Sequence, residues 1–297
     1  MSFPDLNLIR VFVLLYETAS VTSTAERLCV TQPSISYALA RLRQQFDDRL
    51  FMRARDGMVP TMAARQLYPP LRQALSQMEA TVESMQGFDP ASCTHRFRLA
   101  LTDLGEMALL PTIYQRLQEQ APGVELEVVP LEVDRVEEWL PSSRVNAVIC
   151  SRPITAENLE QRVILRDRYV CLGRAELLGP PPISLEDFLA IRHALVASAS
   201  GHGLAEEVMR RNGYQRKVSL EVPHFSILPR LLLASDLLAI VPVQIAKEFV
   251  RDSALAYREL PFSVPEFNVT LYWHASSGHS SAQRWFCNCV VDAIQKQ

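Results

Sequence analysis

Thr31-Gln-Pro-Ser-Ile-Ser-Tyr-Ala-Leu-Ala-Arg-Leu-Arg-Gln-Gln-Phe46 is the stretch whose reading decides the fold. A hydroxyl residue followed closely by proline marks a helix start. Thr31 stands as the cap, and Pro33 falls inside the first turn, where its missing N–H costs nothing. Ile35, Leu39, Leu42 and Phe46 then recur at spacings of 4, 3 and 4, one stripe of a helix. The face away from that stripe opens on Gln32, Ser34, Ser36 and Tyr37. Toward the N-terminus, Cys29-Val30-Thr31 is short enough for a turn, and Val21 to Leu28 reads as a second helix capped by Thr22. Before it, Leu6, Ile9, Val11, Phe12, Val13, Leu15 and Tyr16 predict a helix with a broad apolar face. A short helix, a turn and a helix opening on polar side chains is the geometry that places its second helix in the major groove of DNA.

Gln pairs well with adenine and Ser bonds to several bases, so Gln32, Ser34, Ser36 and Tyr37 are the candidate base readers. Arg41 and Arg43 follow on the helix. Leu50 to Arg53 and Gly57 to Pro60 predict a hairpin, with Gly57 giving the turn its freedom, and Arg53 and Arg55 near its tip. These arginines suit phosphate or minor-groove contact, which sets affinity more than sequence choice. Read by residue chemistry alone, the same segment also fits a helical dimerisation module with a solvated basic face.

Thr61 caps a longer helix in which Leu71, Leu75, Met78, Val82 and Met85 repeat at 4, 3, 4 and 3, a heptad-like seam suited to dimerisation. Pro69 and Pro70 predict a kink or a break near its start. The domain divisions expected are 1–61 for the helix-turn-helix and wing, 62–92 for the linker helix and hinge, and 93–297 for the remainder.

The 297 residues, 48% of them hydrophobic, allow two packed cores. The net charge of −3 excludes a globally basic chain, so DNA binding must rest on a local patch. No apolar run approaches the ~18 residues that span a bilayer, and the N-terminus lacks a basic region followed by an apolar one. A cytoplasmic protein without a membrane partner is expected. Six cysteines without a Cys-x-x-Cys pair read as reduced, mostly buried thiols.

From His95 the pattern becomes alternating strands and helices. Strands are expected at Phe97–Leu101, Val124–Val129, Ala147–Cys150, Tyr169–Leu172, His193–Ala197, Val218–Val222, Leu238–Val241 and Val269–Trp273. This predicts α/β, with helices covering a mainly parallel sheet. Thr102-Asp103-Leu104-Gly105 leads a strand into a helix, a place that favours an anionic group. Ser198-Ala-Ser-Gly-His-Gly203 and Pro223-His-Phe-Ser226 are two further polar loops. Converging at strand ends, they would line a cleft with Thr102, Asp103, Ser198, Ser200, His202, His224 and Phe225, and His193 joins the candidates. Thr102, Ser198 and Ser200 equally read as helix caps, and His193 as a core histidine. No nucleophile–base–acid constellation or metal spacing is readable, so no catalytic residue, metal or cofactor is expected.

Asp5-Leu-Asn-Leu-Ile-Arg-Val-Phe12, Ser20-Val-Thr-Ser-Thr-Ala-Glu-Arg-Leu28, the Thr31–Arg43 block, Arg49-Leu-Phe-Met-Arg53 and Gly57-Met-Val-Pro-Thr61 together resemble LysR-type regulators. Thr102-Asp-Leu-Gly-Glu-Met107, Gly201-His-Gly203, Leu220-Glu-Val-Pro-His-Phe225 and Leu237-Leu-Ala-Ile-Val-Pro242 are similar to the branch with nodulation and salicylate-responsive members. The resemblance implies DNA contacts at Gln32, Pro33, Ser36, Tyr37 and Arg53. Ser23 and Tyr37 depart from the arginine, and the arginine or histidine, usual there. It further implies a C-terminal domain like a periplasmic binding protein, with one subdomain of 95–165 plus 266–297 and another of 166–265. The cleft between them would take a small aromatic or carboxylate effector. Ser151-Arg-Pro153 replaces a more apolar segment, which makes Arg152 a candidate carboxylate partner.

The expected function is a ligand-responsive transcription regulator that is not an enzyme, with double-stranded DNA, a small effector, RNA polymerase and other copies of itself, as dimer or tetramer, for partners. The competing expectation is a constitutive DNA-binding regulator whose α/β domain only oligomerises.

Overall fold

The computed structural model describes residues 5–55, 57–86, 88–197, 201–275, 277 and 280–295. Two compact units are present, one built on residues 1–87 and the other on most of 88–297. No helix among the described residues is long and apolar enough to cross a membrane.

The first unit comprises α1 (Leu6–Thr18), α2 (Val21–Arg27), α3 (Gln32–Phe46), the hairpin β1 (Phe51–Ala54) and β2 (Gly57–Pro60), and α4 (Met62–Gln86). Phe12, Leu15, Ile35, Leu42, Leu50 and Phe51 form its core. The helix stripe expected on α3 is the face that packs there, with Ile35, Leu39 and Leu42 buried and Phe46 partly so. The cap of α2 is Ser20, not Thr22: the Ser20 hydroxyl accepts from Ser23 N at 3.3 Å. A serine in extended conformation one step earlier reaches the same orphan N–H groups. Gly57 sits at φ +125°, and a Cβ there would lie 2.6 Å from the Ala19 carbonyl oxygen, which accepts from Met58 N at 2.7 Å. Glycine is therefore required twice over, by conformation and by space.

Pro69 and Pro70 do not break α4, which continues through them. Tyr68 stacks on Tyr16 at 3.9 Å, and Arg72 Nε donates to Glu17 at 3.1 Å. These contacts hold the helix on α1 on both sides of the prolines. Leu75, and the partly buried Leu71 beside it, pack into this same core, so two of the five expected seam residues are engaged within the chain. Met78 is exposed; the side chains of Val82 and Met85 lie outside the described residues.

The second unit runs β3 (Arg96–Leu101), α5 (Asp103–Gln120), β4 (Glu125–Pro130), α6 (Val136–Trp139), β5 (Ala147–Cys150), β6 (Leu159–Asp167), β7 (Tyr169–Arg174), α7 (Ala175–Leu178), α8 (Leu185–Ala190), β8 (Arg192–Val196), α9 (Leu204–Arg211), β9 (Val218–Val222), α10 (Leu228–Leu233), β10 (Leu237–Pro242), α11 (Val243–Val250), β11 (Leu255–Glu259), β12 (Phe267–His274) and α12 (Ser281–Gln295). They build two five-stranded sheets, ordered β4-β3-β5-β12-β6 and β11-β7-β10-β8-β9. The chain crosses between them after β6 and returns between β11 and β12.

The expectation of a mainly parallel sheet needs correcting. In each sheet two pairings are parallel and two antiparallel. The antiparallel pairings come from the crossing strands and from β6 and β11, neither of which was expected. Both lie at sheet edges, where one flank faces solvent and the apolar pattern thins: Leu-Glu-Gln-Arg-Val-Ile-Leu-Arg-Asp of β6 is mostly exposed.

Candidate functional site

On α3 the buried stripe leaves Gln32, Pro33, Ser34, Ser36, Tyr37 and Arg41 exposed on one surface. Tyr37 is 69% exposed, unusual for an aromatic side chain in a folded core's vicinity. Thr31 occupies the cap position, but its side chain makes no cap bond; its hydroxyl lies 2.8 Å from that of Ser34. Arg53 and Arg55 are exposed on the hairpin. Arg43, half-exposed, spends two of its donors within the unit. Its Nε donates to Arg49 O at 2.8 Å and its Nη2 to Phe51 O at 2.7 Å, which ties α3 to β1.

The second unit holds a cavity where its two sheets meet. Its enclosed space has room for about three water molecules beneath an open mouth. Thr102 and Gly105 come from the start of α5, Ile149 and Ser151 from the end of β5, Asp167 from the crossing, and Phe267 from β12. His202 stands over it. Its ring is half-buried, edge-on to Tyr169, Phe225 and Phe267. Nδ1 lies 3.2 Å from the Tyr169 hydroxyl and Nε2 3.4 Å from that of Ser151. Burial pushes its pKa down to about 4, so the ring is neutral near pH 7. Burial also raises the Tyr169 hydroxyl and the Cys150 thiol, keeping both protonated.

Asp167 spans the crossing. One carboxylate oxygen accepts from Arg168 N at 2.7 Å and the other from Gln244 N at 3.3 Å, so it caps α11 from a different strand. Burial raises its pKa. Among the described residues no lysine or arginine lines this cavity. The N-terminus of α5 does, with Thr102 Oγ1 accepting from Gly105 N at 3.2 Å, but Asp103 and Glu106 already sit in its first turn and oppose its partial positive charge.

Of the expected lining residues, Thr102 and His202 meet in the cavity. Asp103 and His224 meet beside it: His224 Nδ1 is 4.0 Å from Asp103 Oδ2, which also accepts from Ser226 N at 3.2 Å. Phe225 backs His202 from the core of the second sheet. Arg152 lies instead in a wide open groove, 60% exposed and 3.6 Å from Asp134. His193 does not face the cavity. It is fully buried, its Nε2–H donating to Phe188 O at 2.8 Å. Ser198 and Ser200 lie outside the described residues. Ser151, Asp167, Gln244 and Phe267 were missed, because they follow from the strand crossings and carry no local motif.

Residues 6–65 match the family described as bacterial regulatory helix-turn-helix protein, lysR family, and residues 92–295 match the LysR substrate binding domain. The chain belongs to the LysR family. This LysR regulator is 34% identical to the HTH-type transcriptional activator NahR of Pseudomonas putida over 97% of both chains. It is 32% identical to the HTH-type transcriptional activator NagR of a Ralstonia species over 98% of both. Among solved structures it resembles a probable transcriptional regulator from Pseudomonas aeruginosa, with 32% identity, a TM-score of 0.73, and coverage of 97% of this chain and 96% of that one. These relatives are regulators, not enzymes. The regulator is thus a DNA-binding transcription factor of LysR type, its helix-turn-helix the α2–α3 pair and its α/β unit the substrate-binding domain.

Proposed function

We propose that this regulator's DNA binding is set by a small aromatic or carboxylate effector held in the cavity at the sheet crossing. The carrying observation is that cavity: apolar walls, with Thr102, Ser151 and His202 converging on it from separate segments. Gln32, Ser34, Ser36 and Tyr37 read base edges; Thr31, Pro33 and Arg41, with Arg53 and Arg55 on the wing, position the protein on the backbone. Two copies pair along α4 through Met78, Val82 and Met85, and further contacts make a tetramer in the cytoplasm that meets RNA polymerase at the promoter. The effector acts by preferring one of two arrangements of the crossing, because a ligand with equal affinity for both would shift nothing.

The test is in two stages. Genomic fragments bound by the full-length protein are selected and footprinted. A thermal-shift screen of aromatic and aliphatic carboxylates then finds ligands, where one present at about 100 times its Kd adds about 2.7 kcal/mol. A ligand that raises the melting temperature and changes the footprint is the expected result. Selective DNA binding with no responsive ligand would leave a constitutive regulator; no selective DNA binding at all would overturn the reading of α3.

A further inference from the structure

Behind His202 lies a second, smaller chamber. It is lined by Ala194, Val196, His202, Glu206, Arg216 and Phe225, and has room for about one water molecule. Among the described residues, His202 is the one it shares with the effector cavity. Arg216 is only 3% exposed. Its Nη2 donates to Glu206, and its Nη1 donates to Nδ1 of His193 at 2.8 Å. Its Nε is buried without a partner among the described residues. A guanidinium has five N–H donors, so this one keeps capacity unused in a place where an unused donor is costly. Glu206 shares its carboxylate with solvent, 36% exposed, which leaves the buried charge incompletely offset.

We propose that Arg216 is the group that reads the anionic head of the effector, and that His202 is the gate between it and the apolar cavity. The inference rests on the effector reading above and narrows it to small aromatic carboxylates. An acid entering the cavity finds, among the described residues, no cationic side chain in the walls and a helix start already opposed by Asp103 and Glu106. Its ring suits the apolar walls; its carboxylate needs Arg216. Among the described residues, His202 is the side chain on both linings, and its polar tethers are weak. Its two hydrogen bonds, at 3.2 and 3.4 Å, are long. Glycines flank it on both sides, and Gly201 already sits at φ +81°. Rotation of the ring joins the two spaces, exchanges the Ser151 and Tyr169 contacts for the ligand, and delivers the carboxylate to the unpartnered Nε–H of the guanidinium. Ser151 follows β5 and Tyr169 opens β7, so the same rotation releases a link between the two sheets. Ligand charge is thereby coupled to the crossing.

The matched probes are benzoate and benzamide, titrated into full-length protein by calorimetry. Wild type should bind benzoate about tenfold more tightly than benzamide or better. Arg216→Met should remove that preference while leaving benzamide affinity within about twofold, Arg216→Lys should restore part of it, and His202→Ala should tighten benzoate but not benzamide. Melting curves identify any variant that fails to fold, and His202→Ala tests the gate with Arg216 intact. If benzamide binds wild type as well as benzoate, or the preference survives in folded Arg216→Met, Arg216 is structural and the proposal falls while the cavity reading stands. If neither probe binds at up to about 10 mM, the small-aromatic effector reading falls with it.

Discussion

The exposed face of α3 and the cavity of the second unit handle polar groups in opposite ways. On α3, the Gln32, Ser36 and Tyr37 side chains project from consecutive turns into solvent, anchored by a stripe on the other side of the same helix. In the cavity, Ser151, His202 and Asp167 come from separate segments and bond to one another, to Tyr169 beside it or to nearby backbone. One surface is poised because its partners are absent and will be a nucleic acid. The other is poised because its partners are provisional. The first should tolerate substitution without loss of stability, whereas the second should couple every change to the packing of the crossing.

The sharpest way to break this contrast is at the wing, where the first unit behaves like a packed interior. Gly57→Val places a branched side chain at φ +125° and drives a Cβ into the Ala19 carbonyl. The expected cost is about 3 kcal/mol or more. Specific DNA binding should be lost with a lower melting transition for the first unit, while ligand-induced stabilisation of the second persists. Unchanged DNA affinity in a normally melting protein would mean the hairpin yields far more easily than its geometry implies.

The interior of the second unit gives the next effect. Burial and the neighbouring Arg216 push His193 down to about 4 from an ordinary 6.5. The unfolded chain takes up the proton as pH falls through 6.5, and the folded chain declines it until about 4. Stability is therefore full above 6.5 and is lost progressively toward 4, by about 3 kcal/mol from this residue. His202, lowered by burial, adds in the same direction; Asp167, raised by burial, opposes it. Chemical denaturation between pH 7 and pH 4.5 should show the decline. His193→Gln, which can still donate to Phe188 O and accept from Arg216, should flatten its slope. An unaltered slope in that variant would assign the decline elsewhere.

The same contrast explains what could be read from the chain alone. The recognition helix announces itself because cap, stripe and exposed face lie within a few turns: Thr31, Pro33, Ile35 and Tyr37 are neighbours in sequence and in space. Thr102 and His202 could be picked out because each stands at a strand-to-helix junction. Asp167 and Phe267 could not, because their place in the cavity depends on a crossing that unites strands about a hundred residues apart in sequence. Arg216 was invisible for the same reason, and its burial contradicts what a lone arginine in a polar loop suggests. His193 misled because its strand position resembles the cavity-facing ones, yet its ring turns toward Phe188 rather than the strand ends.

The smallest effects test the α3 face itself, where sequence reading and DNA affinity separate. Gln32 and Arg53 are both exposed, and neither supports the core. Removing either should leave folding stability within about 0.5 kcal/mol of the wild type. Gln32→Ala should cost about 1–3 kcal/mol of affinity for a selected site and relax preference at one base position, with little change on random DNA. Arg53→Ala should weaken binding to all sequences alike and lower the slope of log K against log salt by about 1. Measured side by side across a salt series, the two variants distinguish base reading from phosphate positioning. Equal losses on specific and random DNA for Gln32→Ala would move it to the backbone-positioning group and shift base readout toward Ser36 and Tyr37.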